Sequence, residues 1–402
     1  MSVIVQKYGG SSLSTLAKID ALAARIAEQE RTTDRIVLVV SAMGETTNEL
    51  TRMAHELTPN PPARELDMLL ATGEQVSIAL MAMALHKHGV DAISYTGSQI
   101  GLKTDALHTQ AKVLGVNDAK LRKQIEAGKV VIVAGFQGVT SEDDVTTLGR
   151  GGSDITAMAL AVALDAERLE KCTDADGVYT ADPRIYPEAR RIDRLSYEEM
   201  LEMSFAGAKI LHPRAVFFAW KYRIPILVKH SHVEGPGTWI GDLEELVEKP
   251  IVSNVTHDAT ISKVTVYGVP DRPGMACKIL ETLADRDIAV DMIVQSTTRG
   301  PLNDISFTIK RGDLAKARAA LEELVAQYEG MQLQTDEKVA KVSLIGMGIR
   351  SDSHVAMGMF RALADEGINI QMIATSDVKI SCVIDEAHVK VGVRALCKKF
   401  FL

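Results

Sequence analysis

The sequence lacks three features that would each point to a particular class of protein. Its four cysteines lie far apart, so neither a disulfide framework nor a Cys-rich zinc motif is expected. Positive charge is not in excess, because 45 Lys and Arg face 53 Asp and Glu, and the net charge of −8 disfavours nucleic-acid binding. The longest mainly apolar run, residues 76–85, has about ten residues, whereas a membrane span needs roughly 18.

The chain also does not open with a charged leader, an apolar core and a cleavage site. We therefore expect a reduced, cytoplasmic protein with neither a membrane nor a nucleic acid as partner. Its 402 residues are 46% hydrophobic and 24% charged, which is ordinary for globular proteins. This length suggests two or three domains, each able to bury a core.

Short β-branched runs alternate with helical patterns over the first 230 residues. The predicted strands are 3–7, 36–40, 92–96, 130–136 and 226–229, and the predicted helices are 14–30, 63–88, 118–127 and 153–163. Apolar strands between helical segments are typical of a largely parallel sheet with helices on both faces. The sequence thus predicts an α/β domain, a three-layer αβα sandwich, over residues 1–235.

After a predicted connector at 236–250, the chain contains an internal repeat. Residues 289–297 resemble residues 369–377, and residues 304–309 resemble residues 379–384. The first unit, 251–338, reads as a ferredoxin-like βαββαβ fold, whereas the second, 339–402, is one strand short. We therefore expect residues 251–261 to donate the missing strand to the second unit, which would cover an open sheet edge.

Four glycine-rich or small-residue loops, at 7–12, 41–48, 135–140 and 147–154, follow predicted strands. Such loops converge on one crevice at the carboxyl ends of parallel strands, where backbone N–H groups can cradle a phosphate. One such loop alone is most often a tight turn, but four in one domain favour phosphate binding. The sequence has neither the P-loop motif nor the dinucleotide-binding fingerprint, which argues against both of those enzyme classes.

Six motifs occur in a fixed order along the chain. They are Lys-Tyr-Gly-Gly-Ser-Ser at 7–12, Ser-Ala-Met-Gly at 41–44, Thr-Gly-Glu at 72–74, Gly-Arg-Gly-Gly-Ser-Asp at 149–154, Thr-Asp-Ala-Asp-Gly-Val-Tyr-Thr-Ala-Asp-Pro-Arg at 173–184 and Gly-Ala-Lys-Ile-Leu-His-Pro-Arg at 207–214. Together they resemble the aspartate kinase (aspartokinase) family of the amino-acid kinases. The repeated tail resembles that family's tandem ACT domains, so the resemblance covers essentially the whole chain. The departures from the family pattern are at Tyr8, Ser11, Asn48, Lys171 and Cys172.

The resemblance implies transfer of the γ-phosphoryl group of ATP, supplied with Mg²⁺, to the β-carboxylate of L-aspartate. The product, 4-phospho-L-aspartate, begins lysine, threonine and methionine synthesis, and no tightly bound organic cofactor is implied. Because the acceptor carboxylate is already ionised at neutral pH, no general base is needed. Catalysis then depends on positioning and charge neutralisation. No metal site made by the protein alone is expected.

The resemblance also assigns roles to individual residues. It makes Lys7 and Asp154 catalytic, with Lys7 stabilising the transferring phosphoryl group and Asp154 orienting it. The implied aspartate-binding residues are Thr47, Glu74, Arg150, Gly151, Gly152 and Ser153. The implied nucleotide-binding residues are Lys7, Tyr8, Gly9, Gly10, Ser41, Thr173, Asp174, Tyr179, Arg184 and Lys209. Taken singly, several have simpler explanations: Lys7 as a solvated strand-end lysine, Ser41 as a helix cap. We interpret His212 as structural.

The tail is expected to sense an end-product amino acid, lysine, threonine or both. The predicted effector-binding residues are Asp271, Pro273, Gly274, Met275, Ala276, Asp291 and Gln295. The corresponding loop of the second unit lacks the Pro-Gly pair. We also expect a homodimer or higher homo-oligomer formed through these units, and a tail that only dimerises is the alternative.

Two other functions compete with aspartate phosphorylation. One is phosphorylation of a different carboxylate, as in acetylglutamate kinase, against which the repeated tail and the 149–154 motif weigh. The other is a non-catalytic amino-acid sensor that kept the fold. The presence of Lys7, Glu74, Arg150 and Asp154 argues against loss of catalysis.

Overall fold

The computed structural model describes residues 2–30, 35–242, 251–297 and 302–401, and the chain divides into two compact units. The first unit contains the described residues up to 178, together with 191–204 and 209–242. The second contains 179–190, 205–208 and the described residues from 251 onward.

Fourteen strands and eight helices are described before residue 243. The strands are β1 (Val3–Tyr8), β2 (Arg35–Val40), β3 (Ala92–Tyr95), β4 (Lys103–Thr104), β5 (Val113–Gly115), β6 (Val130–Ala134), β7 (Gln137–Val139), β8 (Val145–Thr147), β9 (Arg168–Thr173), β10 (Val178–Tyr179), β11 (Arg191–Ile192), β12 (Arg194–Ser196), β13 (Ile226–His230) and β14 (Thr238–Gly241). The helices are α1 (Leu16–Glu30), α2 (Thr46–Leu57), α3 (Ala63–Leu70), α4 (Thr72–Lys87), α5 (Ala119–Glu126), α6 (Gly152–Ala163), α7 (Tyr197–Phe205) and α8 (Pro213–Tyr222).

An eight-stranded sheet in the order β12-β14-β13-β9-β1-β2-β6-β3 forms the centre of the first unit. Strand β1 lies between β2 and β9 and is parallel to both. Helices α1 and α4 pack on one face of the sheet around a core that includes Leu22, Leu38 and Met81. Helix α6 contacts β1, β2 and β9 from the other face. The predicted αβα sandwich is confirmed, and the central strands β2 and β6 are apolar because both faces of the sheet are covered.

The sequence analysis missed β9, although it lies next to β1. Its residues include Arg168, Glu170 and Lys171, which hide the apolar pattern of a buried strand, and all three form ion pairs. The predicted helix at 63–88 is two helices that meet at Ala71. The predicted end of this domain at residue 235 is too early, because β14 pairs with β12 and β13 of the same sheet.

One helical stretch, Ala63–Lys87, is long and apolar enough by length and composition to cross a membrane. It is longer than the apolar run seen in the sequence because α3 and α4 are nearly continuous. In the first unit, α4 packs against α1, β3 and β6, and the stretch includes the buried acids Asp67 and Glu74. Its apolar side chains thus contribute to the core of the sandwich.

The second unit contains two four-stranded antiparallel sheets with helices. The strands are β15 (Asn254–Asp258), β16 (Ile261–Pro270), β17 (Val290–Thr297), β18 (Leu302–Lys310), β19 (Gln332–Asp336), β20 (Val339–Ile345), β21 (Met372–Thr375) and β22 (Lys379–Asp385). The helices are α9 (Met275–Ala284), α10 (Leu314–Val325), α11 (Ser353–Asp365) and α12 (Val389–Phe401). The sheet orders are β17-β18-β16-β19 and β15-β20-β22-β21.

Strand β15 precedes the first repeat in the chain but pairs with the second. It runs antiparallel to β20, from Asn254 opposite Ile345 to Asp258 opposite Lys341. Ile261 already belongs to β16 of the first repeat, so the paired strand is shorter than the predicted segment 251–261. Part of the predicted connector, residues 243–250, lies outside the described residues.

Residues 179–190 also belong to the core of the second repeat. Ala181, Ile185 and Tyr186 are buried in the same cluster as Val342 and Leu396. The N–H of Val255 in β15 donates to the carbonyl oxygen of Thr180 at 2.8 Å. The segment therefore covers the outer edge of β15, a role that its turn-like sequence did not indicate.

Candidate active site

Two small-residue loops are held together where β1 and β2 end. A Cβ on Gly10 would lie 2.8 Å from the carbonyl oxygen of Ala42, so only glycine allows this approach. The N–H of Gly44 donates to the carbonyl oxygen of Gly10 at 3.0 Å. The carboxyl ends of these parallel strands therefore form one continuous rim, as the loops at 7–12 and 41–48 predicted.

A buried ion pair lies beside this rim. Lys7, the penultimate residue of β1, faces α6, and its Nζ lies 2.9 Å from Oδ1 of Asp154 in the first turn of that helix. The two side chains are 9% and 7% exposed. The structure thus brings together the two residues predicted to be catalytic.

A second lysine contacts the same carboxylate. Lys171 lies opposite Lys7 in the register of β1 and β9, and its ammonium group also binds Oδ1 of Asp154. Burial opposes ionisation of Asp154, but the charges of Lys171 and Lys7 outweigh it and hold the pKa of this carboxyl far below its usual value. Burial, aided by the charge of Lys7, lowers the pKa of Lys171 to about 8 against the opposing attraction of Asp154.

The loop before α6 depends on glycine at two positions. Gly151 has a φ of +73°, and a Cβ there would lie 2.5 Å from the Cβ of His212. A Cβ on Gly152 would lie 2.8 Å from the ring of Phe136. This tight packing fixes the first turn of α6, which carries Ser153 and Asp154 and where the helix dipole favours a negative charge. His212 itself caps α8 by accepting the N–H of Arg214 at 3.3 Å.

Glu74 is a buried carboxylate with one oxygen free of protein partners. It lies in the first turn of α4 with 3% exposure, and its Oε1 accepts the N–H of Ala42 at 3.0 Å. Its Oε2 is buried without a hydrogen-bond partner. Burial raises the pKa of Glu74 to about 7, against the stabilising N–H of Ala42. Such an oxygen is suited to a cationic ligand group.

The other predicted substrate and nucleotide residues of the first unit are more exposed. Thr47 is half-buried on α2, while Arg150 and Lys209 are exposed. At the end of β9, the Thr173 hydroxyl donates to Asp174 at 3.0 Å. Thr47 thus lies near the start of a helix, and Arg150 and Thr173 lie in or beside loops that follow strands.

Ser41 and Tyr8 contribute their backbones where β1 and β2 end. The N–H of Ser41 donates to the carbonyl oxygen of Tyr8 at 3.1 Å, and Ser41 is half-buried. The ring of Tyr8 is buried, so the prediction that Tyr8 binds the nucleotide now rests on its backbone. It alternates with Lys7 along β1, so it points to the opposite face and is buried with Cys172 in the core near α1.

Tyr179 and Arg184 belong to the segment that is part of the second unit. Arg184 is exposed and pairs with Asp182, at 2.8 Å between Nη2 and Oδ2. The carbonyl oxygen of Tyr179 accepts the side-chain amide of Asn254 at 2.8 Å. Within this unit, Tyr179 is therefore held by β15, and Arg184 is held by the turn at 182–184.

A cavity of about 340 Å³ lies in the first repeat of the second unit. Its lining includes six of the seven predicted effector residues: Asp271, Pro273, Gly274, Met275, Ala276 and Gln295. Asp291 is not in the lining, because its carboxylate pairs with the buried Lys341 of the second repeat. The lining also includes Asn303, which the sequence analysis missed and which donates to Asp271 at 2.9 Å.

Comparison with known proteins assigns the family. The amino acid kinase family profile matches residues 2–230, and the ACT domain profile matches residues 263–327 and 342–400. The chain is 48% identical, over 404 aligned positions, to an aspartokinase from Pseudomonas aeruginosa, covering 100% of this chain and 98% of that protein. The chain belongs to the aspartate kinase family. The predicted family and fold are therefore confirmed.

Two solved structures of an aspartate kinase are also similar over their full lengths. E. coli aspartokinase III in complex with aspartate and ADP, an R-state structure, gives a TM-score of 0.86 at 25% identity. The same enzyme in complex with lysine and aspartate, a T-state structure, gives a TM-score of 0.77 at 25% identity. Each alignment covers 100% of both chains.

Sequence reasoning missed two buried polar residues in the kinase part of this aspartate kinase. Lys171 was visible only as a departure from the family pattern. Asp67 accepts the N–H of Thr109 at 3.0 Å and the hydroxyl of Thr147 at 2.6 Å, and thereby connects the loop at Thr109 to β8. The sequence does not indicate that Asp67 is buried, because most acidic residues on amphipathic helices are exposed to solvent.

Proposed function

We propose that this aspartate kinase transfers the γ-phosphoryl group of ATP to the β-carboxylate of L-aspartate, forming 4-phospho-L-aspartate. The observation that carries the proposal is the buried Lys7–Asp154 pair beside the strand-end loops, in a chain 48% identical to an aspartokinase over its full length. A cation at this position can neutralise charge that develops on the transferring group.

The reaction needs no proton transfer. An oxygen of the ionised β-carboxylate attacks the γ-phosphorus and forms a new O–P bond. The bond from the γ-phosphorus to the bridging oxygen breaks, and ADP leaves with that electron pair. Lys7 faces the charge on the phosphoryl oxygens, and the N–H groups at the start of α6 add to this stabilisation.

The aspartate acceptor is held at its other end by Glu74 and Arg150. The free Oε2 of Glu74 accepts the substrate ammonium group, which converts a buried orphan oxygen into a paired one. Arg150 is exposed, and its side chain makes no hydrogen bond or ion pair with the described residues, so its guanidinium is available to bind the α-carboxylate. Thr47, with the 151–153 loop, completes the proposed aspartate site.

ATP enters as its magnesium complex and is a substrate of the reaction. In the described part of the chain, no group of three or more His, Cys, Asp or Glu side chains is placed to hold a metal. Mg²⁺ commonly binds through phosphate oxygens and few protein carboxylates, so the proposed ion enters with the nucleotide. The proposed nucleotide residues are Lys7, Gly9, Gly10, Ser41, Thr173, Asp174, Tyr179, Arg184 and Lys209, with the backbone of Tyr8.

The cavity of the first ACT unit is the proposed effector site for lysine, threonine or both. The similar E. coli enzyme has been solved with lysine. In this chain, Asp271 suits an effector ammonium group, and the amide oxygen of Asn303 is buried without a partner. Backbone N–H groups at the start of α9 suit the carboxylate. We also propose self-association through the ACT units, a cytoplasmic location and domain boundaries near 242 and 338.

A hydroxylamine-trapping assay tests the activity. The full chain is incubated with ATP, Mg²⁺ and either aspartate, glutamate or acetylglutamate, and the acyl phosphate is measured as its hydroxamate. Hydroxamate with aspartate alone supports the proposal. Product with acetylglutamate instead would make the chain a kinase for another carboxylate, and no product with any acceptor would leave a non-catalytic sensor.

A further inference from the structure

Two buried ammonium groups share one carboxylate at the end of β1 and β9. Lys7 and Lys171 face each other in the strand register, each side chain is 9% exposed, and both contact Oδ1 of Asp154. On β13, the residue opposite Lys171 is Val228, which carries no charge. The directly paired groups of the cluster are therefore two cations and one anion, and the carboxyl group of Glu74 feels the charge of Lys7 without forming an ion pair with it.

The charges of this cluster do not balance. Two ammonium groups against one carboxylate leave a net charge of +1, and no second carboxylate of the described residues lies within 4 Å of either lysine. Glu170 is one residue away on β9 but faces the opposite side of the sheet, where it pairs with Lys229 and Arg168. An unpaired buried charge is costly, so the cluster is incomplete without an anion.

Neutralising Asp154 does not require the second lysine. Lys7 already pairs with this carboxylate at 2.9 Å, and the amino terminus of α6 favours a negative charge at the same place. Lys171 therefore adds positive charge beyond what the fold needs. The loops at 9–13 and 151–153, which offer backbone N–H groups to an anion, adjoin these strand ends.

We propose that Lys171 is a second phosphoryl-binding cation of this enzyme, which acts with Lys7 on the γ-phosphoryl oxygens of ATP while Asp154 holds both ammonium groups in place. This inference rests on the proposed kinase function. The lowered pKa of Lys171, about 8, agrees with an ammonium group that awaits its anionic partner. Binding of the phosphoryl group supplies the missing negative charge.

The test compares nucleotides that differ in the γ-phosphate. Calorimetry measures the affinities of the magnesium complexes of ADP and of the non-hydrolysable analogue AMP-PNP in wild type, Lys171→Met and Lys171→Arg. Lys171→Met should weaken AMP-PNP binding by about 10- to 100-fold and ADP binding by less than about threefold, because a charge-assisted hydrogen bond is lost only to the γ-phosphate. Lys171→Arg should recover part of the loss because it keeps the charge.

Lys229→Met is the matched control. It removes a lysine of the neighbouring strand whose side chain is 15% exposed and ion-paired, but on the opposite face of the sheet. This variant should keep the wild-type ratio of AMP-PNP to ADP affinity even if its melting temperature falls. If Lys171→Met does not fold, Lys171→Gln takes its place.

An unchanged ratio in a folded Lys171→Met, or an equal loss for both nucleotides, would overturn the inference. The hydroxamate assay separates this failure from that of the proposed function. If wild type makes no aspartyl hydroxamate while Lys171→Met still loses AMP-PNP selectively, the acceptor assignment fails and the role of Lys171 stands. If wild type is active and Lys171→Met has wild-type kcat and nucleotide affinities, only the role of Lys171 fails.

Discussion

At the scale of single residues, two buried carboxylates of the kinase unit have opposite surroundings. Asp154 touches two ammonium groups, which keep it ionised despite burial. Glu74 has one backbone N–H as partner, and burial raises its pKa to about 7. Carboxylates with such different environments suit different roles: Asp154 suits a permanent anion between cations, whereas Glu74 suits a carboxylate that becomes charged when a cationic ligand binds.

The first prediction concerns the pH dependence of aspartate use. A raised pKa means that the free enzyme holds the Glu74 proton up to about pH 7, so the carboxylate that binds the substrate ammonium group forms as the pH rises. We expect kcat/KM for aspartate to rise between about pH 6 and 8 and this rise to vanish in Glu74→Gln. Glu65→Gln, at an exposed acid of α3, is the control. A wild-type profile that is flat across this range would contradict the assignment.

The same raised pKa affects stability in the absence of substrate. The folded protein binds the Glu74 proton more tightly than the unfolded chain does, so this contribution to stability is complete below the ordinary value of 4.5 and is lost as the pH rises through about 7. At low pH, stability depends on Asp154 instead. The lowered pKa of its carboxyl group contributes to the free energy of unfolding above the ordinary pKa, and this contribution is lost only in strong acid.

The second prediction separates the roles of Lys7 and Asp154. Lys7→Ala should abolish turnover but fold, because Lys171 still neutralises Asp154. Asp154→Asn should also abolish turnover and, in addition, lower the free energy of unfolding by about 3–5 kcal/mol, because it leaves two ammonium groups buried together. The hydroxamate assay and urea unfolding measure the two effects. Near wild-type turnover in either variant would disprove its catalytic role.

At the scale of elements, the site depends on how closely loops approach each other. The loop after β1 is joined to the loop after β2 by a hydrogen bond of 3.0 Å from the N–H of Gly44 to the carbonyl oxygen of Gly10. The second loop in turn contributes the N–H of Ala42 that binds Glu74 on α4. Hydrogen bonds therefore connect the proposed phosphoryl site, at the end of β1, to the proposed aspartate site at the start of α4.

The third prediction tests this connection with Gly10→Ala. The new Cβ would lie 2.8 Å from the Ala42 carbonyl oxygen, a backbone atom, so the two loops must move apart. We expect kcat/KM to fall for both ATP and aspartate, with about 1–3 kcal/mol of destabilisation. Gly115→Ala is the matched control, since a Cβ there meets no atom within 4 Å. Loss of activity in both variants, or in neither, would count against the connection.

At the scale of the whole molecule, catalysis and sensing are assigned to different units. The proposed catalytic and aspartate-binding residues lie around the parallel sheet of the first unit, and the proposed effector cavity lies in the first ACT repeat of the second. Regulation therefore requires a coupling free energy between two distinct sites, typically about 1–3 kcal/mol. The corresponding loop of the second ACT repeat, around Gly348, lacks the Pro-Gly pair that shapes the first.

The fourth prediction tests this coupling with Asp271→Asn. Wild-type activity should fall in the presence of lysine, threonine or both, by about 5- to 150-fold in aspartate affinity. Asp271→Asn should keep its basal activity and lose this response, because the effector ammonium group loses its carboxylate. Asp287→Asn, at an exposed turn after α9, should respond like wild type. If lysine and threonine have no effect on wild type, singly or together, the tail is structural.

The sequence by itself determined those properties that depend on local pattern. The αβα class follows from apolar strands that alternate with helical periods, and the tandem ACT units follow from a repeat that preserves order and spacing. The glycine loops were identifiable because close backbone approach requires glycine, and Lys7, Asp154 and Glu74 were identifiable because they stand in motifs that resemble those of the aspartate kinase family. Six of the seven residues predicted for the effector site line one cavity, and five of these six lie within residues 271–276 around one turn.

Only the tertiary structure decided which residues meet across the sheet. Sequence analysis did not find strand β9 because it contains charged residues. These residues form ion pairs with residues far away in the chain, such as Glu170 with Lys229. The contact of Lys171 with Asp154 depends on the register of β1 with β9. The burial of the Tyr8 ring in the core depends on the alternation of side chains along β1. The ion pair that removes Asp291 from the effector cavity joins two repeats. Contacts between distant residues depend on packing and register, and no local sequence pattern encodes them.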